Sequence, residues 1–151
     1  MNKKEFKKLL LSGKMCEMVN EAITGEKLSS PDSIHKALTP LIAEHPGVEN
    51  FYCVFLTAKN TVIEIRRMFT GSLTSCAVYP REIIKACLEV DACSLVLVHN
   101  HPSNDPEPSK EDISITKRID QCCELMSIKL FDHIVIGGTS YTSMKQTGLM
   151  S

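Results

Sequence analysis

The sequence predicts an α/β (α+β) fold, a mixed central β-sheet flanked by helices. Three observations carry that expectation. Amphipathic stretches with apolar residues at three- and four-residue steps are interleaved with short runs rich in β-branched and aromatic residues. One run, ACSLVLV at 92–98, is too short for a typical helix and is bounded by loop signals, which marks a buried central strand. The 151 residues suit one compact domain with its own core, and no internal repeat divides them.

The elements follow in order. Phe6, Leu9, Leu10, Met15, Met18, Val19, Ala22 and Ile23 recur at helical spacing, so 3–24 reads as an amphipathic helix ended by Gly25. Ser30 before Pro31 is an N-cap followed by a first-turn proline, opening a helix to about Glu44, and His45-Pro46-Gly47 breaks it. Residues 49–57 and Thr61–Met68 read as strands joined by a Lys59-Asn60 turn. The segment 69–79 is mixed. Pro80 opens a helix to about Asp91, and the apolar strand 92–98 follows. His99–Pro108 reads as a polar loop, and Ser109 with Asp112 forms a capping box for a helix to about Met126. Two last strands, 128–136 and 139–144, are joined by Gly137-Gly138.

Composition narrows the function. Lys and Arg number 17 against 18 Asp and Glu, a net charge of −1, which argues against a dedicated DNA binder. Hydrophobic residues at 43% and charged ones at 23% exclude disordered and low-complexity classes. No stretch approaches the length of a membrane span, and the N-terminus lacks an apolar secretory core, so a cytoplasmic protein without a membrane partner is expected. Seven cysteines, an odd count without Cys-x-x-Cys spacing, suit buried thiols of a reducing compartment.

The chemistry concentrates in Val98-His99-Asn100-His101-Pro102-Ser103 and Pro108-Ser109-Lys110-Glu111-Asp112. In an extended chain residues i and i+2 point to the same side, so His99 and His101 can converge on one ion. Asp112 opens the next helix, one loop away. Two imidazole nitrogens and one carboxylate oxygen leave a fourth position open, the arrangement of a catalytic rather than a structural zinc. His-x-His alone is a weak signal, and Asp112 is equally explained as the third residue of a capping box. The end of a strand is nonetheless where α/β sheets place their sites.

The spacing His99-x-His101 with ten residues before Asp112, and Ser109 three before it, resembles the JAMM (MPN-plus) metalloprotease signature. The longer text HNHPSNDPEPSKEDISITKRI resembles the RadC branch of that family, as do Phe69–Leu73, Tyr79–Glu82 and Asp132–Gly137. The likeness covers roughly 30–145, leaving 1–29 as an N-terminal helical extension and 30–151 as a RadC-like JAMM/MPN domain of cytidine-deaminase-like architecture. Asn104 stands where the family usually has Gly, and Asn tolerates the left-handed backbone such a turn needs.

The resemblance implies a Zn2+ ion held by His99, His101 and Asp112, a general base at Glu49, and Ser109 as hydroxyl donor to a tetrahedral oxyanion. Glu64 is the rival base on the next strand. His133 reads as a residue that supports a ligand or packs, and His35 and His45 as surface residues. Cys122 and Cys123 read as packing and Arg81 as an ion-pair partner.

The leading expectation is a zinc hydrolase cutting an amide bond of a peptide or protein substrate. The alternatives are a DNA repair or recombination factor and a non-enzymatic scaffold. For the DNA role, the chain offers Lys3, Lys4, Lys7 and Lys8. Residues 1–29 do not resemble the helix-hairpin-helix region expected of longer RadC proteins.

Overall fold

The computed structural model describes residues 2–12, 14–28, 30–71 and 78–150. In chain order these form α1 (Lys3–Leu11), α2 (Met15–Ile23), α3 (Pro31–Glu44), β1 (Asn50–Leu56), β2 (Val62–Thr70), α4 (Pro80–Glu89), β3 (Ser94–Asn100), α5 (Lys110–Leu125), β4 (Lys129–Gly137) and β5 (Ser140–Ser143).

β1 is buried along its whole length because it serves two cores at once. Its even residues Tyr52, Val54 and Leu56 pack with Val96, Val98 and Ile134 against Ile34, Leu38 and Leu41 of α3 and Met15 and Val19 of α2. Its odd residues Phe51, Cys53 and Phe55 pack with Leu95 and Leu97 against Ile83 and Cys87 of α4 and Ile115, Ile119 and Cys123 of α5. Period-two alternation thus produces three layers: α2 and α3, the sheet, then α4 and α5.

The five strands lie in the order β2-β1-β3-β4-β5, so the apolar run of β3 is central, as its composition predicts. β1 pairs antiparallel with β2 and β3, β3 pairs parallel with β4, and β4 pairs antiparallel with β5. Antiparallel pairing of Phe51 with His99 sets the start of β1 beside the end of β3. Parallel pairing sends the chain from β3 to β4 through α5, whose first turn returns to that same end.

Two boundaries differ from the sequence reading. The helix expected over 3–24 is two helices, because at Ser12 the backbone N–H and the hydroxyl both bond back to Leu9 C=O and end α1. β3 runs through His99 and Asn100, which were expected in the loop, because the ladder to β4 continues as far as Asn100 and Ile136. Gly25 does follow α2 with φ +85°, and Asn60 takes φ 62° in the turn between β1 and β2. Within the segment read as mixed, Phe69 and Thr70 belong to β2, and 72–77 lie outside the described residues.

The N-terminal segment packs into the domain. Besides its core side chains, α2 turns Asn20 onto the edge of β2, where its amide accepts from Ile65 N–H at 2.7 Å and donates to Ile65 C=O at 2.9 Å. Among the described residues no helix is long and apolar enough to cross a membrane.

Candidate metal centre

Four side chains, from β3, the loop after it, the start of α5 and the approach to β1, meet at the end of β3. The ligand atoms of Glu49, His99, His101 and Asp112 all lie within 4.8 Å of one another. His99 ends up here because it shares the α5-facing side of the sheet with Leu95 and Leu97. It is completely buried, its ring stacked on Phe51 at 5.7 Å. His101 lies two residues on, just past the strand, and its N–H donates to Ile136 C=O at 2.7 Å. The two Nε2 atoms are 3.1 Å apart. The i, i+2 convergence expected from the sequence is therefore present.

Asp112 arrives through the capping box. Ser109 is the N-cap of α5: its hydroxyl accepts from Asp112 N–H at 3.0 Å, and its own N–H donates to Asp112 Oδ2 at 2.8 Å. That exchange holds the carboxylate over the helix start, where Oδ1 lies 3.0 Å from His99 Nε2 and Oδ2 lies 3.0 Å from His101 Nε2. Capping and convergence on the histidines are thus one geometry. Glu49 precedes β1 with a side chain 16% exposed, and its Oε1 stands 3.8 Å from His99 Nε2. Glu64, the rival, instead pairs with Arg66 at 2.6 Å on β2.

Hydrogen bonds behind the cluster fix which nitrogen of each ring carries its proton. Thr116 Oγ1 donates to Asp112 C=O at 2.6 Å, so it accepts from Nδ1–H of His133. His133 Nε2 then accepts from Nδ1–H of His99 at 2.7 Å, and the Nε2 of His99 faces the cluster as a lone pair. Burial pushes the His133 imidazole well below its ordinary value, which keeps it neutral and able to accept. On the other side, His101 Nδ1–H donates to Asp105 C=O at 2.8 Å. The loop carrying Asp105 turns at Asn104, whose φ is 67°, the left-handed backbone expected for the residue in place of Gly.

These atoms fit a metal ion. Asp112 Oδ1 is buried without a hydrogen-bond partner although His99 Nε2 is 3.0 Å away, because two lone pairs face each other there. A cation between opposed lone pairs at that distance would relieve their repulsion. Tetrahedral bonds of about 2.0–2.1 Å separate neighbouring donors by roughly 3.3–3.4 Å, and His99 Nε2 lies 3.1 Å from His101 Nε2 and 3.0 Å from Asp112 Oδ1. Charge is arranged accordingly. Burial pushes Asp112 up, but the imidazoles and the Ser109 N–H outweigh it and hold the carboxyl well below the usual range. The Asp112 hydrogen bond raises His101, and burial raises Glu49 against the pull of the two histidines.

Sequence reasoning named the four clustered residues and Ser109 and read His133 as supporting a ligand or packing. It assigned nothing to Thr116, Asn100 or Phe51. Thr116 lies four residues after Asp112, on the same helix face, which is the one available signal. Elsewhere, His45 is exposed, and His35 is half-buried against the Tyr141 ring at 5.0 Å. Cys123 is core and Cys122 half-buried, and Arg81 covers the Tyr79 ring at 4.8 Å.

Comparison with known proteins agrees with this architecture. A family model described as the RadC-like JAB domain matches residues 28–149. A UPF0758 protein of Bacillus licheniformis is 48% identical over 102 residues, 68% of this chain and 46% of that protein. The UPF0758 protein YsxA of Bacillus subtilis is 47% identical over 102 residues, 68% of this chain and 44% of its own length. A UPF0758 protein of Symbiobacterium thermophilum is 40% identical over 124 residues, 82% of this chain and 53% of that protein. The chain spans about half the length of the curated relatives it matches. With nearly all of the sheet and its covering helices inside the matched region, the chain belongs to the family of RadC-like JAB domains.

Proposed function

We propose that the protein is a zinc-dependent hydrolase of amide bonds, peptide or isopeptide, with His99, His101 and Asp112 as ligands. The observation that carries this reading is the meeting of Glu49 with those three residues, one more acidic group than ion holding needs. When bound, zinc supplies the Lewis acidity that brings a water's pKa down to about 7. Glu49 takes the proton of the attacking water as its oxygen adds to the substrate carbonyl carbon. It then delivers that proton to the amide nitrogen as the C–N bond breaks, leaving a carboxylic acid and an amine. A carboxyl raised by burial is a stronger base than a free one and suits the first half of this transfer, while it remains acidic enough to return the proton in the second. Ser109 accepts from Asp112 N–H, which leaves its hydroxyl proton free to donate to the oxygen that gains charge.

Zinc analysis joined to a peptide-library cleavage screen tests this. Wild type is expected to hold one zinc per chain and to cleave. Glu49→Gln is expected to hold the same zinc and cleave about 10²–10⁴-fold more slowly. Protein that binds no zinc in excess metal, or Glu49→Gln cleaving like wild type, sinks the proposal.

A further inference from the structure

Asn100 stands between the two histidines and is 3% exposed. A buried primary amide is costly unless its hydrogen bonds are made. The oxygen and the nitrogen of the amide each make one, at the approach to β1. Asn100 Oδ1 accepts from Asn50 N–H at 2.8 Å, and Asn100 Nδ2 donates to Val48 C=O at 2.9 Å. The peptide groups it grips flank Glu49 on either side.

The position explains why a side chain does this. The last paired residues of β1 and β3 are Phe51 and His99, and Glu49 lies outside the ladder. Beyond that pair the Asn100 amide offers one acceptor and one donor where a further backbone pair would have stood. The opposite side of the segment is held too. Thr70 Oγ1 donates to Asn50 Oδ1 at 2.9 Å, and Gly71 N–H donates to Glu49 C=O at 2.8 Å. Glu49 is therefore mounted on a backbone fixed from both flanks, and one of those fixings grows from the dipeptide link between His99 and His101.

We infer that Asn100 is a positioning residue that sets the Glu49 carboxylate against the His99–His101–Asp112 cluster. The His-Asn-His segment then fixes the ligands and the base relative to one another as a unit. The inference rests on the reading of Glu49 as general base. A displacement of about 1 Å in such a group is enough to cost about 100-fold in rate.

The test uses Asn100→Ala and Asn100→Asp in the full chain, each alone and combined with Glu49→Gln, with zinc as the probe. Asn100→Asp keeps the acceptor for Asn50 N–H and loses the donor to Val48, which covers the case that the alanine variant does not fold. Three quantities are read: zinc affinity by chelator competition, crystal structures of the variants, and kcat and KM on a peptide from the screen. Zinc affinity is expected to stay within about threefold, well short of the 10–100-fold that loss of a group supporting a ligand costs. In the crystals Glu49 is expected to leave its place 3.8 Å from His99 Nε2 while the three ligands stay put. Asn100→Ala is expected to lower kcat about 100-fold with KM little changed, and to add almost nothing on top of Glu49→Gln. The inference is overturned if Glu49 is undisplaced in both variants, if zinc affinity falls as steeply as kcat, or if the loss is the same with and without Glu49→Gln. Should Glu49→Gln itself cleave like wild type, the base assignment fails, and the position of Glu49 in the variant crystals still decides what Asn100 does.

Discussion

His99 has no freedom over which nitrogen it shows the cluster, because the hydrogen bonds through His133 and Thr116 settle it. Thr116→Val keeps the shape and removes the hydroxyl, so zinc affinity measured by chelator competition should fall about 10–100-fold, and His133→Ala should fall at least as far. Nitrogen NMR of the imidazoles should show His99 losing its fixed Nδ1–H form in both. Asp112→Ala removes a ligand and should abolish stoichiometric zinc. Ser109→Ala should keep zinc and lose about 10²–10³-fold in kcat, with about 1 kcal/mol of stability lost through the cap. The pH response follows from His101, raised chiefly by Asp112. Without metal, the stability this group contributes is full below the unfolded value near 6.5 and is lost as pH rises through the raised folded value. Zinc competes with that same proton, so its affinity falls as pH drops through the raised value, by about tenfold per pH unit. Both effects have one sign: the gap in Tm between zinc-loaded and chelator-treated protein should widen from pH 6 to 8, and a constant gap would count against the assignment. At this scale the convergence of His99, His101 and Asp112 was legible because i, i+2 spacing and a capping box are local patterns. Thr116 and Asn100 were not, since each acts on a residue that only the tertiary pairing brings near.

The loop from His101 to Pro108 lies directly on β4. A Cβ at Gly137 would sit 2.4 Å from Pro106 N and 2.6 Å from Asp105 C, both backbone atoms with no flexible end to yield. Gly137→Ala should therefore push away the loop whose Asp105 carbonyl holds His101, costing about 1–3 kcal/mol in denaturant unfolding and weakening zinc binding with it. Gly47, with nothing within 4 Å of its Cβ position, is the control, and alanine there should change stability by less than about 0.5 kcal/mol. The sequence marked Gly137-Gly138 as a turn, yet Gly137 is the last residue of β4, and its small size serves the close approach of another segment. Strand and helix types were legible throughout because periodicity and caps are written locally. The end of β3 was not, because histidine and asparagine in HNH carry loop-like propensities that the β4 ladder overrides. The break between α1 and α2 was missed for the related reason that apolar spacing continued across it.

At the level of the whole molecule, the layers followed from one property of the sequence, the apolar runs of β1 and β3 that demand cover on both faces. What periodicity alone did not supply was strand order, which depends on how far apart pairing partners lie along the chain. The order determines that β3 has one parallel and one antiparallel neighbour, so a strand end, a strand start and a helix start coincide. His99, His101 and Asp112 come from one continuous stretch, whereas Glu49 joins them only across the β1–β3 ladder. Were the β1–β3 ladder open, the three neighbouring donors would stand without the Glu49 carboxylate beside them. Under the proposed reading, holding the ion depends on one continuous stretch of chain, whereas competence for chemistry depends on a pairing between distant ones.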